Sequence, residues 1–497
     1  MTDAVVVGSG PNGLAAATVL ARAGVRVRVI EAADVIGGGA RSVESPLPGL
    51  IQDHCAAVHT MAPAGAYWST LDLQAMGVAL KHAPIDCVHP LDEGDAAVLH
   101  TSIADTAAGL DADGGRWSAA FGPSSRVFDK LAEDIFTPML AVPRHPFALA
   151  RFGLVAGPPP TWVARFFRTE KARALFLGVA AHAINRLDVP LVTGIGAGII
   201  TAGHTVGWPV IEGGTGAFTA AQVRLLDELG VTFETGRRIL RREDLPPHDI
   251  TILDVHPRDA ASILQSELPD HVRRAYRRFR SGPAAFKVDF AVRGGIPWTN
   301  EAAHHAGTVH VAGSAAEVVA AERDIAVMRR MPDRPFVLVG QQYLADPSRA
   351  DGDTVPVYAY AHVPAGYRGD ATAAIVAQIE RFAPGFRNRI VAARSRTTMD
   401  FAAENPNFVG GDIITGAKTP LQFLVGPRLT TQPYDTGVPG YYLCSAATAP
   451  GPGIHGMSGY NAARRALRRA GIREGVPVAP AGTVAPSPAA DLLVPVR

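Results

Sequence analysis

The chain has 497 residues, too many for one hydrophobic core, so two domains are expected. It is 47% hydrophobic with a net charge of +1, which fits an ordinary globular protein and excludes a bias toward nucleic acid. Three widely spaced cysteines, Cys55, Cys87 and Cys444, exclude a disulfide framework or a zinc site and fit a reducing compartment.

An apolar run, Ala4 to Val7, leads directly into Gly8-Ser9-Gly10-Pro11-Asn12-Gly13, and Leu14 to Ala23 reads as a helix ended by Gly24. Gly8 allows a tight turn, Gly10 lets the backbone approach a pyrophosphate, and Gly13 lets helix and strand pack closely. The helix N-terminus offers free N–H groups and partial positive charge to the phosphates, and Pro11 and Asn12 of the glycine turn are counted with the cofactor-binding candidates. A second strand, Val25 to Ile30, ends on Glu31, followed by Ala32. That acid stands at the offset where a carboxylate accepts both ribose hydroxyls. Strand, glycines, helix, strand and acid together point to a dinucleotide. Without the ligand they make only a glycine-rich turn.

Val35-Ile36-Gly37-Gly38-Gly39-Ala40-Arg41-Ser42 continues from the acid strand. This resembles the extension in FAD enzymes of the amine oxidase and phytoene desaturase superfamily, a double glycine followed by one or two spaced arginines. Gly37 and Gly38 are the double glycine, Gly39 stands at the first arginine position and Arg41 at the second. The resemblance implies FAD, with Arg41 or backbone amides at the pyrophosphate or flavin edge.

Further along, Gln52-Asp53-His54-Cys55 and His59-Thr60-Met61 lie on a stretch that in the superfamily runs past the flavin. Phe128 to Phe136 and Trp162 to Ile184 have helical spacing, and Pro138 to Pro160 between them is punctuated by proline. Trp162 to Arg168 mixes bulky apolar residues with arginine. It reads either as a membrane-surface patch or, more ordinarily, as a helix packed on the core with solvated arginines.

Gly207 to Gly216, the amphipathic helix Phe218 to Leu229, and Gly230 to Ile239 form a second block. By the resemblance it returns the chain to the FAD domain, with the Ile239 backbone at the adenine; a hairpin usual in the family is shortened before Ile250 to Asp254. Strands at Phe286–Val292, Thr308–Ala312, Phe336–Gly340 and Val355–Val363 predict an antiparallel sheet with one buried face, roofing an apolar cavity. A helix over Ala373 to Phe382 follows. The third block is the strand Tyr441 to Cys444, a Gly/Pro loop and a helix. Gly453, Ile454, His455 and Gly456 match the family turn that brings a second helix N-terminus to the flavin.

The three blocks span residues 4 to 467, so the resemblance covers nearly the whole chain. Gly410-Gly411-Asp412-Ile413, Pro427-Arg428, Tyr434 and Leu443-Cys444 resemble the branch called pyridine nucleotide-disulfide oxidoreductase domain-containing protein 2. No C-x-x-x-x-C motif is present, which excludes disulfide reductase chemistry. The implied fold is α/β: a Rossmann-type FAD-binding domain and a mixed sheet-plus-helix substrate domain, the chain crossing between them several times. The FAD-binding domain would comprise residues 1–75, 205–260 and 430–470, the substrate domain 76–204 and 261–429, and a mobile tail 471–497.

The implied activity is FAD-dependent desaturation or dehydrogenation of a lipophilic, isoprenoid-like substrate by hydride transfer, with His455 and His59 the candidate acid or base groups. A flavin amine oxidase or reduced-flavin isomerase is one alternative. No aromatic pair or lysine is evident near the C-terminal block, which counts against an amine oxidase. A flavin-free binding protein of the same fold is another. No metal is called for, and the electron acceptor (oxygen, quinone or nicotinamide) and oligomeric state stay open. The longest polarity-poor run, Val189 to Gly203, has 15 residues, too few to span a membrane. The first strand begins at about residue 4, leaving no room for a leader. A soluble cytoplasmic protein is expected, with peripheral contact at the inner membrane face if the arginine-rich patch is used.

Overall fold

Ala4 to Val7 and Ile250 to Leu253 are buried without interruption, as strands covered on both faces must be. In the computed structural model, which describes residues 2–474, they are neighbours in a five-stranded parallel sheet. Its order is Tyr441–Leu443, Ile250–Leu253, Asp3–Val7, Arg26–Ile30, Thr232–Glu234. Val7 stands opposite both Ile30 and Leu253. Gly8, Glu31 and Asp254 therefore emerge together at the carboxyl ends, where such sheets take their ligands.

The helix after the first strand runs Pro11–Arg22, three residues earlier than the apolar pattern shows, because proline suits the first helical turn. The C-terminal helix, Met457–Ala470, crosses it so closely that a Cβ on Gly459 would lie 1.8 Å from the Asn12 carbonyl oxygen. Asn12 Oδ1 also accepts the Gly459 N–H at 3.4 Å. The first and last blocks of sequence are thereby joined.

The four strands expected in the second half form as Ala284–Arg293, Ala306–Val311, Val337–Gly340 and Thr354–Val363. Two features differ from expectation. The sheet is mixed and seven-stranded, because Ile85–Pro90 joins Ala306–Val311 in parallel and Ala96–Leu99 follows it antiparallel. Both its faces are buried. Phe286, Val288 and Phe290 pack with Ile375, Ile379 and Phe382 of helix Thr372–Phe382. The other face packs Leu338, Tyr358 and Tyr360 against Trp117, Phe176 and Ile200 of helices Gly114–Ser125, Glu170–Ala180 and Thr193–Val206. That inner face carries Lys287 and Asp289 at 1% and 2% exposure, so it is no simple apolar roof. A period of two shows which residues share a face and not whether a polar face meets water.

The proline-punctuated segment contains a helix, Pro146–Ala156, begun on Pro146. Trp162 to Ile184 is broken near Thr169. There the Asp113 carboxylate accepts the N–H groups of Arg168 and Thr169 at 2.7 and 2.6 Å, and Thr169 caps helix Glu170–Ala180. Phe147, Leu154, Trp162 and Phe166 are exposed, while Ala164 and Phe167 of the same stretch are buried in the core. Among the described residues no helix is long and apolar enough to cross a membrane. Most of the tail, residues 475–497, lies outside the described residues.

Candidate functional site

A cleft opens at the carboxyl ends of the parallel sheet. Gly8, Gly10, Glu31, Ala32, Gly38, Arg41 and Ile239, all singled out from sequence, line it. Gly13 cannot carry a side chain, since a Cβ there would lie 2.1 Å from the Gly8 carbonyl oxygen. Gly8 adopts φ +96°, a left-handed conformation glycine alone takes freely. Pro11 and Asn12 form the first turn of the helix at the cleft floor, and Gly37 donates its N–H to Ser9 Oγ at 3.2 Å.

Glu31 is held ready by the backbone. Its Oε2 accepts the Ser9 N–H at 2.8 Å and the Ser9 hydroxyl at 2.6 Å, while Oε1 accepts the Ala33 N–H at 2.9 Å. Each carboxylate oxygen has two acceptor sites, so Oε1 keeps capacity for a ribose hydroxyl. The far end of the cleft is walled by Arg237, Arg238, Ile239, Leu240 and Ile263, an apolar slot edged with positive charge. At the near end Arg41 donates to the Gly38 carbonyl at 2.7 Å and lies 3.1 Å from His54 Nε2. Gly39, at the family's arginine position, faces Phe408, whose ring would meet a Cβ at 3.1 Å.

Sequence reasoning missed Asp254. Its Oδ2 accepts the Gly13 N–H at 2.9 Å and would lie 2.8 Å from a Cβ on Gly10, placing a carboxyl beneath the glycine turn. Burial, with Glu31 adding repulsion, pushes its pKa up to about 7. The signal available was its place one residue past Leu253 at a strand end, in register with Gly8 and Glu31.

Lys287 was read only as part of a strand. Its ammonium is buried, donating to the Asp53 carbonyl at 2.7 Å and to Asp289 Oδ1 at 2.5 Å, 4.3 Å from the centre of the Tyr358 ring. Burial pulls the Lys287 pKa down, partly opposed by Asp289. The Tyr358 hydroxyl donates to the Cys55 carbonyl at 2.6 Å, and Cys55 lies beside Gly39. A lysine and a pair of tyrosines, Tyr358 and Tyr360, are thus brought toward the Gly39 end by strands distant in sequence.

The two candidate histidines do not line the cleft. His455 accepts the Met457 N–H at Nδ1 (3.1 Å) and donates from Nε2 to the Pro452 carbonyl (3.1 Å), so both ring nitrogens hold the Pro452–Met457 turn. Gly453 and Gly456 have φ of +137° and +65° in this turn, and the Ile454 carbonyl accepts the Trp68 indole N–H at 3.0 Å. The turn meets the glycine helix where a Cβ on Gly456 would lie 2.8 Å from Ala15 Cβ and 3.2 Å from the Pro11 carbonyl. His59 Nε2 bonds the Thr215 hydroxyl at 2.9 Å. Burial pulls both histidines down to about 4, leaving them neutral near pH 7.

His59 borders a buried ion-pair network centred on Arg349. Arg349 reaches Asp53 Oδ2 at 2.6 Å, Asp346 Oδ2 at 3.1 Å and the Ile211 carbonyl at 2.7 Å. Asp53 Oδ1 accepts the Thr215 N–H and the Ser42 hydroxyl at 2.7 and 2.8 Å. Burial alone would raise Asp53, but the Arg349 charge and hydrogen bond outweigh it and hold the carboxyl below its ordinary value. Among the described residues no group of three or more His, Cys, Asp or Glu side chains converges as a metal site.

Fold and cleft define a protein with a Rossmann-type parallel-sheet domain. The family model for an NAD(P)-binding Rossmann-like domain matches residues 6–72. Hydroxyneurosporene desaturase of Rhodobacter capsulatus is 30% identical over 264 residues, 49% of this chain and 51% of that protein. The chain therefore spans about half the length of that relative. Pyridine nucleotide-disulfide oxidoreductase domain-containing protein 2 of Rattus norvegicus is 23% identical across 94% of this chain and 93% of its own length. Among solved structures, putrescine oxidase bound to putrescine superposes with a TM-score of 0.59 at 15% identity, covering 95% of this chain and 99% of the other. An oxidoreductase from Methanosarcina mazei gives 0.59 at 16%, covering 93% and 100%. The chain is thus similar in sequence to hydroxyneurosporene desaturase across about half of its length, and it shares its fold with putrescine oxidase.

Proposed function

We propose that the protein is an FAD-dependent dehydrogenase or desaturase of a lipophilic, isoprenoid-like molecule. The observation that carries this reading is the convergence of Gly8, Gly10, Glu31, Gly38 and Arg41 on one cleft, with Ile239 at its far end. These residues fit the ADP half of the cofactor. The glycine turn leaves no side chain in the path of a pyrophosphate, the helix N-terminus points positive charge at it, and Glu31 retains an acceptor site. When bound, FAD supplies a hydride acceptor, chemistry that no side chain provides.

The chain's own residues do the placing. Phe408 and Cys55 bound the space beside Gly39, and the sheet face of Tyr358 and Tyr360 turns a reacting C–H bond toward that end while excluding water. Lys287 adds a buried ammonium to this face, fixed by the Asp53 carbonyl and the Asp289 carboxylate. It holds or relays a proton at Nζ. Exposed Phe147, Leu154, Trp162 and Phe166, interspersed with Arg151, Arg165 and Arg168, support entry of the substrate from a lipid surface.

A flavin amine oxidase is the second reading. The lysine and tyrosine pair that the C-terminal sequence lacks are supplied by Lys287, Tyr358 and Tyr360. The purified protein, mixed anaerobically with phytoene, geranylgeraniol, putrescine or cyclohexylamine, separates the two. Bleaching of a 450-nm flavin band by an isoprenoid supports the first reading. Bleaching by an amine alone moves the assignment to the second. A protein without flavin that takes none up contradicts both.

A further inference from the structure

A group of buried histidines lies on the inner face of the seven-stranded sheet, apart from the glycine cleft. His310 lies on strand Ala306–Val311, His362 on Thr354–Val363, and His182 just beyond helix Glu170–Ala180. His182 Nε2 and His310 Nε2 are 2.9 Å apart, one donating to the other. His362 stacks on Phe336 with ring centres 4.8 Å apart, and its Nδ1 lies 2.5 Å from Glu322 Oε1. His362 and Glu322 are 1% and 0% exposed.

His362 Nε2 and Glu322 Oε2 are both buried without a hydrogen-bond partner. Buried polar atoms are nearly always satisfied, and each exception needs a reason. A carboxylate on one imidazole nitrogen fixes the ring and its tautomer, presenting the other nitrogen to a ligand. Nε2 is an acceptor when Nδ1 carries the shared proton and a donor when Glu322 does.

The pair is also in line with the Gly39 end of the site. Tyr358, Tyr360 and His362 alternate along one strand and so face the same side, with ring centres 5.8 and 5.6 Å apart in succession. Tyr358 touches Cys55, the neighbour of Gly39. Four residues of strand separate Tyr358 from His362, about 13 Å.

We propose that His362, held by Glu322 and flanked by the His182–His310 pair, anchors a hydroxyl group at one end of an elongated apolar substrate. The orientation of that substrate, with its reacting bond about 13 Å away, rests on the flavin-dependent reading; the hydroxyl contact does not. The surroundings select an uncharged group. Burial pulls His182 down to about 3 and His310 far below its ordinary value, so neither imidazole offers a cation to a carboxylate. Burial likewise raises Glu322, which weakens it as a partner for an ammonium. A hydroxyl both donates and accepts, and so satisfies Nε2 in either proton arrangement.

The test is displacement of the fluorescent probe 1,8-ANS by geranylgeraniol, by its amine analogue and by the C20 hydrocarbon phytane, each delivered from cyclodextrin. The alcohol is expected to bind at least about tenfold more tightly than the hydrocarbon, the gain of one buried hydrogen bond. His362→Phe, which keeps the ring stacked on Phe336, should lower alcohol affinity to the hydrocarbon's and leave the hydrocarbon unchanged. Equal affinity of wild type for alcohol and hydrocarbon overturns the proposal, even if the variant does not fold. Tighter binding of the amine than the alcohol also overturns it. Alcohol preference in a protein that takes up no FAD leaves the anchor standing and removes the oxidoreductase reading.

Discussion

The glycine cleft and the inner face of the larger sheet are built on opposite principles. The cleft is made of backbone: amides at a helix N-terminus, a turn that only glycine can form, and one carboxylate held by the Ser9 and Ala33 N–H groups. The sheet face is made of side chains: Lys287, Asp289, Tyr358 and His362, each fixed by a partner on another element, with Tyr360 between the rings of Tyr358 and His362. Backbone sites bind what every dinucleotide shares, whereas side-chain sites choose among substrates. Apart from both, the buried Arg349 clamp ties Asp53 to Asp346.

The sharpest way to break the cleft is Gly13→Ala. With a Cβ 2.1 Å from the Gly8 carbonyl and no flexible atom to yield, nearly all cofactor retention should be lost, read as flavin absorbance per chain after purification. The clamp is tested by removing its cation. Arg349→Met leaves Asp53 and Asp346 buried without their cation and should cost about 3–5 kcal/mol in urea unfolding. Both carboxyls are held below their ordinary value in the native protein. Their stabilisation is present above the unfolded value of 3.8 and is lost as pH falls through the lower folded value. The gap between wild type and variant should therefore narrow in acid.

Glu31→Gln keeps the shape of the cleft and removes the charge that strengthens the ribose contact. It should weaken FAD by about tenfold or more with little change in unfolding. Asp254 gives a pH dependence of opposite sign to the clamp. Its folded pKa, about 7, lies above the ordinary 3.8, so the folded state keeps a proton the unfolded state loses. Stability from this group is full below pH 3.8 and is lost progressively as pH rises to about 7. Asp254→Asn should match wild type near pH 4 and exceed it at pH 8, measured by urea midpoint. The smallest effect is expected from His455→Asn. Removing two turn hydrogen bonds should cost about 1–2 kcal/mol, and the activity profile between pH 6 and 8 should keep its shape, because this imidazole titrates near 4.

The cleft was legible in sequence because its parts are local. Gly8 to Glu31 is a single strand–helix–strand unit, and its spacing carries the chemistry. Asp254 escaped notice because only strand register places it under Gly10. On the sheet, the alternation of Phe286, Val288 and Phe290 found the strand and its apolar face. It could not reveal that Lys287 and Asp289 are buried on the other face, since their partners come from residues 53 and 358. His59 and His455 drew attention by type and neighbourhood. Their engaged ring nitrogens depend on Thr215 and on the tight Pro452–Met457 turn, which no periodicity records.

The measurement closest to the central claim is a titration of cofactor-stripped protein with FAD, followed by flavin fluorescence, in wild type and Glu31→Gln. The account predicts one FAD per chain, bound about tenfold more weakly by the variant. Failure of the wild type to take up FAD, or identical affinity in the two proteins, would contradict the assignment of the cleft.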